Sequence, residues 1–150
     1  MKNRNMNNKF SLLGMLLLAF LPLAQAGSMP APEKTKPNER IIRITALDIR
    51  FDPSRLRVRS GETVRFIVTN KGRLTHEFTI GDAKEQAEHE KEMQRMDGKV
   101  MPDEPNAMTL KPGETKTLIW TFGPKQVVEF ACHVPGHYAA GMMGKISVRN

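Results

Sequence analysis

The stretch Cys132-His133-Val134-Pro135-Gly136-His137-Tyr138-Ala139-Ala140-Gly141-Met142-Met143-Gly144 carries a thiol, an imidazole five residues on and a thioether five beyond that. These donors stand where an alternating apolar run gives way to Pro and Gly, and a loop of that composition can bend them around one point. A fourth donor is available upstream. His76 lies in the run 74–80 with the parity of Phe78 and Ile80, so it points inward with them. Two imidazoles, one thiolate and a weak axial thioether make up the trigonal donor set of mononuclear copper electron-transfer sites. Cu(II) favours nitrogen and oxygen, and Cu(I) favours soft sulfur in low coordination. A rigidly held mixed set serves both states with little rearrangement, which makes one-electron transfer fast.

Cysteine usage narrows the alternatives. With one cysteine, the chain cannot form an intramolecular disulfide framework, a four-cysteine zinc site, an iron–sulfur cluster held by its own thiolates or a CxxC redox pair. Four histidines and ten methionines remain as borderline or soft ligands. Taken alone, Cys132 is equally compatible with an inert buried thiol.

The N-terminus suggests a compartment. Lys2, Arg4 and Lys9 precede an apolar run over residues 12–23, and Ala24-Gln25-Ala26 follows as a small-x-small signal. We read residues 1–26 as a secretory signal peptide cut after Ala26, giving a periplasmic protein. The run is shorter than the ~20 apolar residues a membrane span needs, and Gly14 and Pro22 interrupt it. No membrane insertion is therefore expected after cleavage. Losing three cations from the formal charge of +7 leaves +4. These charges are scattered rather than clustered with aromatics, and an exported chain meets no nucleic acid, so nucleic-acid binding is excluded. Export also exposes a lone thiol to oxidation unless burial or a metal protects it.

Residues 27–40, with three prolines, read as a flexible leader. Beyond them come short alternating runs: Ile42, Ile44 and Ala46; Leu56 and Val58; Val64, Phe66 and Val68; Leu118, Trp120 and Phe122; Val128 and Phe130; Ile146 and Val148. Turn signals such as Ser60-Gly61 and Lys111-Pro112-Gly113 separate them. Half-buried antiparallel strands at this spacing predict an all-β Greek-key sandwich of about seven strands over residues 41–150. Residues 82–108 interrupt the pattern with eight acidic and four basic side chains, and 83–96 hold strong helix formers without Gly or Pro. A helix is expected there, ending near Asp97-Gly98, followed by a loop back to about Thr109.

The Cys-x4-His-x4-Met loop, with Pro-Gly before the histidine, Gly before the methionine and a distant upstream histidine, resembles the cupredoxin (small blue-copper) family. Its spacing is most similar to the auracyanin and rusticyanin type. The resemblance implies one type 1 copper ion held by His76, Cys132, His137 and Met142. Met143 is the rival for the axial place and is expected to pack against the core or cover the site. It further implies a partner, either a redox protein or a copper-handling protein, docking at the His137 edge among Pro135, Tyr138, Ala139 and Ala140. Many members have an asparagine after the first histidine that ties the two ligand loops together, and Glu77 stands there instead. Glu77 and His133 are both expected to turn away from the ion, toward the surface or toward the surroundings of the ligands.

His89, Met93 and Met96 fall on one helical stripe at i, i+4 and i+7. They are either the seam by which the helix packs or a second, Cu(I)-selective site. The insertion resembles those of cupredoxins linked to copper tolerance. Two functions follow: one-electron transfer, and copper sequestration or carriage that also uses the helix. Catalysis is not expected, because the chain is too short for several cupredoxin domains and lacks further histidine-rich sites.

Overall fold

The computed structural model describes residues 39–96, 101–124 and 127–150. The signal peptide, most of the leader and the helix stop at Asp97-Gly98 lie outside the described residues. Two sheets face each other. One has the order β2-β1-β4-β7, formed by β1 (Glu39–Leu47), β2 (Arg50–Asp52), β4 (Thr63–Asn70) and β7 (Thr115–Thr121). The other has the order β3-β9-β8-β5-β6, formed by β3 (Arg55–Arg59), β5 (His76–Gly81), β6 (Ala107–Leu110), β8 (Val127–Ala131) and β9 (Met143–Arg149). Among the described residues no helix is long and apolar enough to cross a membrane.

The alternation does what its period requires. Val64, Phe66 and Val68 are fully buried, as are Phe130 and Ile146 on the facing sheet. Phe78 lies between them, with ring centroids 5.6 Å from Phe66 and 5.4 Å from Phe130. Offset and edge-on aromatic pairs of this kind add about 0.5–1.5 kcal/mol each to simple burial.

Three expectations need correction. Strand pairing is not purely antiparallel, since β1 runs parallel to β4 and β3 parallel to β9. The chain crosses between the sheets after β2 and again after β3, so β4 returns to lie beside β1 rather than beside β3. The leader ends sooner than residue 40, because Glu39 and Arg40 already pair with Thr63 and Val64, and Glu39 binds buried Arg65 at 3.1 Å. The insertion also closes before residue 108, since Ala107 and Met108 pair with Thr79 and Phe78 in β6.

β3 is a sheet edge and presents exposed Arg55, Arg57 and Arg59 on its outer face. Charges so placed keep an unpaired edge from recruiting another strand.

The helix is α1 (Ala83–Arg95). The Asp82 carboxylate accepts from the N–H groups of Lys84 and Glu85, and Glu85 reaches back to the N–H of Asp82, completing a capping box. Gln86, His89 and Met93 form its buried stripe, which covers the outer side of β5 and β8. As a result every residue of β5 is buried, those facing the core and those facing the helix alike.

Candidate metal centre

Three of the four sequence-predicted donors, His76, Cys132 and His137, cluster at one end of the sandwich, and Met142 follows in the same loop as the last two. His76 opens β5, Cys132 follows the last residue of β8, His137 sits in the connecting turns, and Met142 immediately precedes β9. Positive φ at Gly136 (86°) and Gly141 (91°) lets the chain turn just before His137 and just before Met142. The loop closes on its own backbone. The His137 N–H donates to the Val134 carbonyl (2.9 Å), the Met142 N–H to the His137 carbonyl (3.0 Å), and the Cys132 N–H to the Met142 carbonyl (3.1 Å).

The Nδ1 atoms of both imidazoles approach the same sulfur. His137 Nδ1 lies 3.3 Å from Cys132 Sγ and His76 Nδ1 3.9 Å from it, and the three donor atoms fall within 4.8 Å of one another. An ion bound at about 2.0–2.3 Å to nitrogen and sulfur in a trigonal plane separates its donors by roughly 3.5–4 Å, so the spacing fits. All three are buried, His137 being 8% exposed at the rim. Met142 is fully buried in the core cluster with Cys132, whereas Met143 is half-buried at the start of β9.

Electrostatics points the same way. Burial pushes the Cys132 thiol up to about 11, against the smaller opposing effect of backbone N–H groups of Glu77 and Val134. Burial also lowers the pKa values of His76 and His137, and the neighbouring His137 adds to the effect on His76. A buried thiol facing two neutral imidazoles lacks the positive charge its thiolate needs, and a bound cation supplies it.

Two residues missed in the sequence hold the His76 side. Asn70 is fully buried: its amide donates to the carbonyls of Leu74 (2.8 Å) and Leu110 (3.0 Å), and its oxygen accepts from the Gly72 N–H (2.9 Å). At Gly72 a Cβ would lie 3.0 Å from His76 Nε2 and 2.6 Å from Asp48 Oδ1, so only glycine leaves room for the ring. Asn70-Lys71-Gly72 reads simply as a turn, which conceals both roles.

Glu77 and His133 do turn away from the sulfur, but neither reaches the surface. They are 1% and 3% exposed, buried beneath α1. Glu77 Oε1 pairs with His89 Nε2 at 2.9 Å, and His133 Nε2 meets Gln86 Oε1 at 2.6 Å. The stripe of His89 and Met93 thus faces the sheet, with Met96 half-buried at the helix end. This is the packing seam, and His89 Nε2 is already engaged.

His89 and His133, whose rings meet edge-on with centroids 5.3 Å apart, are shifted in opposite directions. Hydrogen bonding to Glu77 raises the His89 pKa, while burial lowers that of His133 to about 4. The unfolded chain therefore takes up a proton on His133 near pH 6.5 that the folded chain refuses. Its stability contribution is complete above pH 6.5 and falls by up to about 3 kcal/mol as pH drops toward 4. His89 acts with the opposite sign, stabilising below pH 6.5 and losing that effect as pH rises through its folded value. Urea unfolding of metal-free protein across this range should show a shallower acid slope for His133→Gln than for the parent; equal slopes would refute the assignment.

This sandwich and its buried thiol–imidazole cluster define a copper-binding protein of the cupredoxin type, and a family model of copper-binding proteins, the plastocyanin/azurin family, matches residues 39–149. The chain belongs to that family. It is 35% identical to the copper-resistant cuproprotein CopI of Pseudomonas aeruginosa, covering 90% of this chain and 94% of that one. It is 41% identical to the protein of the same name from Rubrivivax gelatinosus, covering 74% and 67%. In fold it is similar to reduced auracyanin of Roseiflexus castenholzii, with a TM-score of 0.63 at 23% identity over 77% of this chain and all of that one.

Proposed function

We propose that His76, Cys132 and His137 hold one type 1 copper ion in a trigonal plane, with Met142 as the axial ligand, in an exported protein that serves copper tolerance through one-electron chemistry. The observation that carries this is the approach of two imidazole nitrogens to a single buried thiol sulfur. Bound copper supplies a Cu(II)/Cu(I) couple. The chain supplies a fixed donor set, excludes water from the sulfur and leaves one imidazole edge at the rim. Met142 rather than Met143 takes the axial place, because it is the inward-facing member of the pair.

Three relatives named copper-resistant cuproproteins support the tolerance role. The charged start, apolar run and Ala24-Gln25-Ala26 signal support export to the periplasm. Among the described residues His76, Cys132 and His137 form one metal-ligating cluster with no second such group beside it, which supports a role without catalysis. Copper-loaded protein should show intense sulfur-to-copper absorption and a type 1 EPR signal, and weak ligand-field bands alone would sink the proposal. Deletion should leave cells copper-sensitive. A respiratory defect without copper sensitivity would instead favour a purely electron-carrying role.

Exposed Pro135, Ala139 and Ala140 frame His137, and a partner redox or copper-handling protein docks there on this reading. Ala140→Glu should slow electron exchange on the order of 10-fold while copper content stays constant. An unchanged rate in stopped-flow would remove the docking patch from the account.

A further inference from the structure

His76 opens β5 and Cys132 directly follows the neighbouring β8, yet the ladder joining the two strands stops short of both residues. β5 pairs with β8 only through Thr79↔Ala131, Ile80↔Phe130 and Gly81↔Glu129. Beyond Thr79 and Ala131, toward the donors, one residue bridges the gap. The Glu77 N–H donates to Cys132 Sγ at 3.3 Å, and Glu77 Oε2 accepts from the His133 N–H at 3.3 Å. A carboxylate buried to 1% exposure cannot hold that position alone, since an unpaired buried charge costs several kcal/mol.

The inserted helix supplies what Glu77 lacks. His89 Nε2 lies 2.9 Å from Glu77 Oε1, with Thr79 Oγ1 at 3.4 Å. One turn earlier, Gln86 is 1% exposed and fully used. Its amide nitrogen donates to the carbonyls of Thr79 (3.1 Å) and Glu129 (3.0 Å), one on each strand, and its oxygen faces His133 Nε2 at 2.6 Å. That contact puts the His133 proton on Nε2, and its Nδ1 correspondingly has no hydrogen-bond partner. Two polar side chains of α1 therefore address the residues that adjoin the two donors, one each. A helix that only sealed the sheet would need apolar side chains there, as Met93 provides on the same stripe.

We infer that α1 is a strap for the metal centre, in which His89 and Gln86 are positioning residues that act through Glu77 and His133 to fix the spacing of His76 and Cys132. The inference rests on the ligand assignment proposed above and extends it to a helix that holds none of the four donors. By keeping the Glu77 N–H on the sulfur, the strap limits how much charge the thiolate gives to Cu(II), so it sets the potential and the charge-transfer spectrum.

The test compares copper-loaded parent, His89→Leu, His89→Gln and Met93→Leu by optical and EPR spectra, reduction potential and rate of copper loss to a chelator. His89→Leu should lower the potential, alter the charge-transfer bands and release copper on the order of 10-fold faster. His89→Gln, which can still donate to Glu77, should restore most of each property. Met93→Leu should leave all of them unchanged. Leucine at 89 leaves Glu77 Oε1 buried without its imidazole partner, so Glu77→Gln/His89→Leu is made alongside. The glutamine carries no charge to leave unpaired and its oxygen can still accept from the His133 N–H, which spares the fold, and the double variant should keep the altered potential. A double variant with parental spectrum, potential and copper retention overturns the strap. A parent chain without sulfur-to-copper absorption overturns the ligand assignment instead, and the strap with it.

Discussion

Replacing Cys132 by serine is expected to abolish the intense sulfur-to-copper absorption and to weaken copper binding by more than the roughly 10–100-fold that residues around a ligand command. The reason lies in charge as much as in covalency. Around Cys132 Sγ stand two imidazoles whose pKa values burial lowers, so on the proposed ligand set the thiolate is the anion that would face the cation. A serine hydroxyl stays neutral and is a harder, poorer donor to Cu(I). The fold should survive, because serine is close in size and the Glu77 N–H that met the sulfur at 3.3 Å can meet the hydroxyl. The measurement is copper titration followed by absorbance, with a thermal melt as control. Retained absorption in a folded Cys132→Ser protein would mean that the sulfur is not a ligand.

The second large effect is expected at Gly144, two residues beyond Met142. Gly144 pairs with Phe130 across β8 and β9, and a Cβ there would stand 2.0 Å from Phe130 Cζ. The ring has nowhere to go. It is fully buried, with its centroid 5.4 Å from both Phe51 and Phe78. Gly144→Ala therefore forces either the ring out of its rotamer or β9 away from β8, at about 3 kcal/mol. That corresponds to a fall in melting temperature of roughly 10 °C. Because Met142 sits just ahead of β9 and its carbonyl receives the Cys132 N–H at 3.1 Å, copper retention should fall with stability. A melt within about 2 °C of the parent would show that β9 yields more readily than this packing implies.

The contrast between these sites and α1 explains what sequence alone could and could not supply. Val64, Phe66 and Val68 recur every second residue, and each is buried because a strand has a two-residue period and one core face. The clustering of Cys132 and His137 was readable for a similar reason, since one short loop carries both. β5 defied the same rule. His76, Phe78 and Ile80 face the core as their parity demands, but Glu77 and Thr79 are also buried, because a helix inserted later in the chain covers them. The partner of Glu77 is twelve residues away on that helix, at a distance no local period encodes. Methionines drew attention to His89, Met93 and Met96, whereas the buried stripe is Gln86, His89 and Met93. The capping box at Asp82 and Glu85 marks where the helix starts but not which of its sides faces inward. The parallel pairs β1–β4 and β3–β9 were likewise invisible, since alternation says which face is buried and nothing about a neighbour's direction.

The backbone closure of residues 132–142 has a consequence for engineering. Since Val134 receives His137, His137 receives Met142 and Met142 receives Cys132 through main-chain bonds alone, the turn carries its own template and depends little on which side chains surround it. Such a segment behaves as a cassette. Transplanted between the ends of equivalent strands in another β-sandwich, it should keep its backbone shape, while its distance to a histidine on the adjoining strand would still have to be set by the new host, as α1 sets it here.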